Sequence, residues 1–122
     1  MVSVLAPPKA FADAAVAGVV STTSGLAVAT AAAVTSRIRL ATAVALPVEH
    51  DPITLAKTLA TLDHLSGGRV TLGVGFGWNT DELADHHVPA GRRRTVLREY
   101  LEAMNALWTQ EEAEYRGEFV DF

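Results

Sequence analysis

Cysteine is absent from the 122-residue chain, and with it go disulfide frameworks, thiolate zinc sites and thiol nucleophiles. A reducing cytoplasm is the location that fits. Aromatic residues are scarce at 7%, so the 49% apolar share rests on Ala, Val and Leu. Basic residues are outnumbered, 10 Lys and Arg against 14 Asp and Glu. A surface that tracks nucleic-acid phosphates needs clustered cations, and the one basic cluster is Arg92, Arg93, Arg94 and Arg98. Nucleic acid is therefore not expected as the main partner.

Charge is also missing from one end. Before Arg37 only Lys9 and Asp13 are charged, and Ala14 to Val34 carries none. That stretch has the length of a bilayer span, roughly 20 residues. Its middle, however, is Ser21-Thr22-Thr23-Ser24-Gly25, its bulk is weakly apolar Ala, and it has no basic n-region. It reads as a buried strand, turn and helix rather than a membrane anchor or a signal. Metalloprotease H-E-x-x-H, G-x-S-x-G, P-loop and paired-carboxylate patterns are all missing too.

What remains is the grammar of an α/β protein. Ala15–Val20 reads as a strand, Ser21–Gly25 as a polar turn, and Leu26–Val34 as an Ala-rich helix. Arg37–Leu46 has apolar residues on both pleat faces after Leu40, as a strand covered on both sides does. Asp51-Pro52 supplies an N-cap acceptor and a proline at the first helical position. Leu55, Leu59 and Leu62 share one stripe of that helix, and Ser66-Gly67-Gly68 stops it. Arg69–Val74 repeats the buried-strand pattern. Gly75–Gly91 reads as a long loop, and Arg92–Thr109 as a helix with Val96, Tyr100, Met104 and Leu107 inward. Glu114–Phe122 approximates strand alternation. Parallel strands joined by right-handed crossovers follow. Ligands in such units sit at the strand C-termini and the loops beyond them, here Thr42–His50 and Gly73–Asp81.

Gly73-Val74-Gly75-Phe76-Gly77-Trp78-Asn79 places three glycines at alternate positions on a strand end. Glycine there admits close backbone approach to a flat or phosphorylated ligand; it equally relieves crowding inside a sheet. The dinucleotide fingerprint is excluded, because its last glycine opens directly into a helix. Ala41 to Pro47 is small and apolar, suited to floor a planar ring but ordinary in a buried strand. Among the histidines, His86 and His87 read as a solvated loop and His64 as a cation favoured near a helix C-terminus. Only His50, with Glu49 beside it, is placed for acid–base work. The three arginines at a helix N-terminus oppose the macrodipole, so acidic neighbours or an anionic ligand should offset them, and Asp81, Glu82 and Asp85 are available in the preceding loop.

Taken in order, Thr35-Ser36-Arg37-Ile38-Arg39-Leu40-Ala41-Thr42-Ala43-Val44, Asp51-Pro52, Leu55 through Arg69, Gly73 through Asn79, Val88-Pro89, Arg93, Glu99 through Ala103 and Leu107-Trp108 closely resemble the bacterial luciferase-like monooxygenase superfamily. The nearest class is the one that uses the deazaflavin coenzyme F420. The likeness runs from Leu26 to Phe122; residues 1–25 form an Ala- and Val-rich segment without a counterpart. It implies a (β/α)8 TIM barrel whose third strand is Arg37–Leu46 and whose fourth is Arg69–Val74, with flanking helices. A non-prolyl cis peptide at the end of the third strand, which the resemblance implies, falls on Ala43–Val44. The cofactor-binding residues so implied are Thr42, Ala43, Val44, Phe76, Gly77, Trp78 and Asn79, with no metal. Trp78 departs from one relative that carries an acid there, which argues against a sugar-phosphate dehydrogenase of that type and leaves the proton donor unassigned.

The activity implied is hydride transfer between F420 and a small organic substrate, with FMN and a monooxygenase reaction as the alternative. An intact barrel takes about 250 residues, so the resemblance implies a fragment or a truncated gene product. Homo-oligomerisation, or pairing with another barrel segment, would then cover its open sheet edges. An inactive interaction module is the remaining reading.

Overall fold

A computed structural model of the chain describes residues 2–3 and 24–122. The strand expected at Ala15–Val20 and the start of the turn expected at Ser21–Gly25 lie outside them. Two compact units make up the fold, one with bounds Met1–Ala45 and Leu59–Gly75, the other with bounds Leu46–Thr58 and Phe76–Phe122.

In the first unit, α1 spans Ser24–Val34. Ser24 and Gly25 open this helix rather than close a turn, because the run of alanines that follows favours helix from its first residues. The strand β1, Val2–Ser3, pairs antiparallel with β4, Gly73–Val74. The strands β2, Leu40–Ala41, and β3, Val70–Thr71, pair in parallel, Leu40 opposite Val70 and Ala41 opposite Thr71. Leu40 and Val74 are each 1% exposed and Val28 is 3% exposed, so this unit's core lies among them. The strands are much shorter than the apolar runs that foretold them, since only residues meeting a partner become ladder.

The helix α2, Pro52–Ser66, keeps its expected bounds. Its first turn is capped by Asp51, whose Oδ1 accepts from Thr54 N–H at 2.7 Å. At the far end Gly67 and Gly68 take φ of 73° and 78°, the left-handed stop that only glycine adopts without cost. Asp63 Oδ1 then accepts from Val70 N–H at 3.0 Å, tying that stop to the start of β3.

In the second unit, α4 spans Arg93–Thr109 and follows a 3-10 turn at Ala90–Arg92. Val96 and Met104 are buried as expected, while Tyr100 and Leu107 are half-buried and the fully buried positions include Ala103. The helix packs on a 3-10 turn at Pro47–Glu49, and Trp108 Nε1 donates to the Ala56 carbonyl at 3.0 Å. A short helix α3, Thr80–Asp85, interrupts what the sequence reads as loop. Glu114–Phe122 is a tight reversal rather than a free strand, with Tyr115 N–H donating to Phe122 O at 2.9 Å and Gly117 N–H to Val120 O at 2.8 Å. Buried Glu99 fastens this reversal to α4 by accepting from Phe119 N–H at 2.7 Å.

The arginines at the start of α4 are not offset by the acids just before them. Arg92 pairs with Glu118, its Nη2 2.5 Å from Oε2. Arg93 Nη1 donates to the Ala90 carbonyl at 2.6 Å. No helix among the described residues is long and apolar enough to cross a membrane.

Candidate functional site

The end of the parallel pair in the first unit is not a continuous ladder. After Ala41 opposite Thr71, the next bridge joins Ala45 to Val74. Thr42, Ala43 and Val44 lie between these bridges on one strand, and only Leu72 and Gly73 on the other. One residue is therefore extra on the first strand, which makes a β-bulge, a device that re-aims side chains at sheet ends. The Ala43–Val44 peptide in this bulge is cis, as the resemblance implied.

Hydrogen bonds pin both sides of the bulge. Thr42 Oγ1 donates to the Gly73 carbonyl at 2.8 Å and accepts from Gly73 N–H at 3.0 Å. Ala45 N–H donates to Gly73 O at 2.8 Å, and Gly75 N–H donates to Ala45 O at 2.9 Å. Gly73 is essential to this closeness, because a Cβ there would collide with the Thr42 carbonyl oxygen. Its φ is not left-handed, so the glycine is needed for approach and not for conformation. Thr42 is buried and its hydroxyl is spent on Gly73, whereas Ala43 and Val44 are half-buried. Among the described residues no hydrogen bond engages the Ala43 or Val44 N–H groups.

The segment Phe76–Asn79 opens the second unit's longer part. Gly77 has φ of 74°, and a Cβ there would stand 3.1 Å from Leu83 Cδ2. Asn79 caps α3, its Oδ1 accepting from Asp81 N–H at 3.1 Å and more weakly from Glu82 N–H at 3.5 Å. Phe76 is held by two guanidinium groups, those of Arg93 and Arg94, at 5.4 and 5.1 Å from its ring centroid. Trp78, by contrast, is 86% exposed. A bare indole at the head of a loop is large apolar surface left without an internal partner.

Glu49 and His50, singled out as an acid–base pair, both sit under the influence of His86. Burial pushes the Glu49 carboxyl above its ordinary value, Glu82 adds to the rise, and His86 works against it. Burial also pushes the His50 imidazole down, and His86 adds to that fall. His86 and His87 are exposed as expected, yet the sequence carried no sign that His86 would be felt by both neighbours. Sequence reasoning also passed over Tyr100 as ordinary core; it is half-buried, and burial with Asp51 nearby raises its phenol. Among the described residues no group of three His, Asp or Glu is placed to hold a metal ion.

Comparison with known proteins bears on both segments. The family model described as luciferase-like monooxygenase matches residues 7–122. An uncharacterised protein of Mycobacterium tuberculosis is 84% identical over 79 residues, which are 65% of this chain and 28% of that protein. The FMNH2-dependent dimethylsulfone monooxygenase of Pseudomonas fluorescens is 30% identical over 80 residues, covering 63% of this chain and 22% of its own. The F420-dependent glucose-6-phosphate dehydrogenase of Nocardia farcinica is 37% identical over 74 residues, covering 57% and 22%. The chain thus spans less than a third of the length of these curated relatives. A solved structure, the oxygenating constituent of 3,6-diketocamphane monooxygenase from Pseudomonas putida in complex with FMN, aligns with a TM-score of 0.80 at 23% identity, over 93% of this chain and 34% of that one. At that identity the likeness is one of fold.

Proposed function

The chain belongs to the luciferase-like monooxygenase family, its α/β fold is part of that family's barrel, and from that premise we propose a coenzyme F420-dependent oxidoreductase that moves a hydride between the deazaflavin and a small organic substrate. The observation that carries the reading is the bulge at Thr42–Val44, pinned by Thr42 and Gly73. A flat tricyclic ring needs small side chains and backbone donors at one strand end, and Ala43 and Val44 supply both. The residues present therefore suit a flavin-like group.

When bound, such a cofactor supplies the hydride chemistry, and the protein supplies binding and orientation. In this proposal Thr42 fixes the bulge, and Ala43 and Val44 offer unengaged N–H groups to the ring. Gly77 turns the chain, Trp78 offers its exposed indole for stacking, Phe76 is held in place by Arg93 and Arg94, and Asn79 keeps its side-chain amide donors while its oxygen caps α3. FMN is the second reading, and the FMNH2-dependent relative is what favours it.

Fluorescence titration separates the two, with Trp78 and Trp108 as reporters. F420 is expected to quench saturably with Kd below about 1 mM and to bind at least about threefold tighter than FMN. The Trp78→Ala variant should lose most of the quench. Tighter binding of FMN would replace this proposal with an FMN-dependent monooxygenase, and no saturable binding of either would refute both.

A further inference from the structure

We propose that a cavity of the second unit is a binding site for a small organic ammonium cation, with Glu49 as its counter-ion. The cavity has a volume of about 470 Å³ and is lined chiefly by Glu49, His50, Asp85, His86, Tyr100 and Phe119. None of these residues belongs to the cofactor reading, and the inference does not rest on it.

Glu49 is 8% exposed, and its Oε1 is buried with no hydrogen-bond partner among the described residues. An ionised carboxylate only accepts, so what is missing is a donor, and leaving such an oxygen unmatched is costly. Two of the other three acids at the cavity are already engaged, and the third, Asp85, is exposed. Asp51 Oδ1 caps α2 through Thr54 N–H, and Asp121 pairs with Arg116 at 2.8 Å. No lysine or arginine lines the cavity, and among the described residues a metal ion has no ligand set to hold it. His50 is a poor counter-ion, since burial and His86 press its ring toward the neutral form. The upward displacement of the Glu49 carboxyl by burial and by Glu82 says the same thing from the acid's side.

An ammonium group brings N–H donors together with the fixed positive charge that the lining does not supply. The volume is in the range of small-molecule sites and leaves room for an alkyl or aryl body. Tyr100 and Phe119 give that body aromatic walls, and the Phe119 ring already receives one cation, Arg92, 5.2 Å from its centroid. Four carboxylates, those of Glu49, Asp51, Asp85 and Asp121, stand at the lining against three imidazoles. That balance selects a cation over an anion of the same shape.

The test compares benzylammonium with benzyl alcohol, its neutral analogue, on the full chain at pH 8, by nitrogen-15 NMR titration. Benzylammonium is expected to bind at least about tenfold tighter than the alcohol, with the largest shifts at Glu49, His50 and Tyr100. Glu49→Gln should bring the two affinities to within about threefold, while a change at an exposed acid outside the cavity, Glu112→Gln, leaves them apart. Equal binding of the two probes by the unaltered chain would overturn the proposal, as would full ammonium affinity in a folded Glu49→Gln variant. Because the first comparison needs no variant, the outcome does not hang on how the substitution folds.

Discussion

Replacing Arg69 with leucine is expected to lower the unfolding free energy by about 3–5 kcal/mol, a large part of the 5–15 kcal/mol that holds a typical domain together. The guanidinium makes five hydrogen bonds inside the first unit. Its Nε donates to Ser66 O at 2.6 Å, Nη1 to Thr35 Oγ1 and Ile38 O at 3.0 Å each, and Nη2 to Ala32 O at 3.0 Å and Thr35 O at 2.9 Å. Three of these acceptors, the carbonyls of Ala32, Thr35 and Ser66, lie at or just past the C-terminal ends of α1 and α2, and a fourth carbonyl, that of Ile38, lies just before β2. Helix ends leave their last carbonyls without internal partners, and a cation there also opposes the negative end of the dipole. One side chain thus closes two helices and joins them.

Leucine keeps most of the aliphatic bulk and removes every donor, so the loss falls on the carbonyls. Lysine should recover only a small share, because a single ammonium cannot reproduce the planar fork. Urea unfolding with an unchanged m value measures both variants. A Leu variant within about 0.5 kcal/mol of the unaltered chain would show that the clamp has no role in stability.

Gly73→Val is expected to have the second largest effect, costing about 2–4 kcal/mol and abolishing cofactor binding together. The added Cβ meets backbone, not a side chain that swings away: the nearest atoms are the Thr42 carbonyl oxygen and, at 3.3 Å, its carbon. The strands must separate or slip, and either movement breaks the Thr42 hydroxyl pair with Gly73. Gly91→Ala is the control. A Cβ at Gly91 meets nothing within 4 Å, so that change should stay within about 0.5 kcal/mol. Melting curves and the fluorescence titration, run side by side, check the two expected losses. If Gly73→Val binds F420 normally, the bulge is not the ring's support.

What was readable in the sequence was mostly local. Asp51-Pro52 and Gly67-Gly68 fixed the bounds of α2 because a cap and a left-handed stop act within a turn of chain. Strand extents were not readable: Arg37–Leu46 is apolar along its length, but only Leu40–Ala41 forms ladder before the bulge, and that depends on the partner's register thirty residues away. The Arg92 partner, Glu118, is hidden for the same reason. The helix α3 did leave a sign, since Asn79 followed by Asp81 and Glu82 is a capping residue before an acidic first turn. Six residues are too few to show a helical period, and the glycines before them drew the reading toward loop.

The candidate site divides along the same line. That Thr42–His50 and Gly73–Asp81 were worth attention came from their place at strand ends; that Thr42–Val44 and Phe76–Asn79 would be the residues on a cofactor came from a resemblance. The residues' separate conditions came only from the structure: Thr42 spent on Gly73, Asn79 spent on α3, Trp78 exposed, and the Ala43 and Val44 N–H groups unengaged among the described residues. Glu49 was noticed merely as the neighbour of His50. That its Oε1 is buried with no donor among the described residues is a tertiary fact, set by the packing around the turn at Pro47–Glu49.

The central claim, that the bulged strand end supports a flavin-like ring, is tested most directly by amide hydrogen exchange with and without about 1 mM F420 or FMN. Slowed exchange at Ala43 and Val44, and across Phe76–Asn79, is the predicted result. Unchanged exchange at these amides with both cofactors, or protection confined to other parts of the chain, would contradict it.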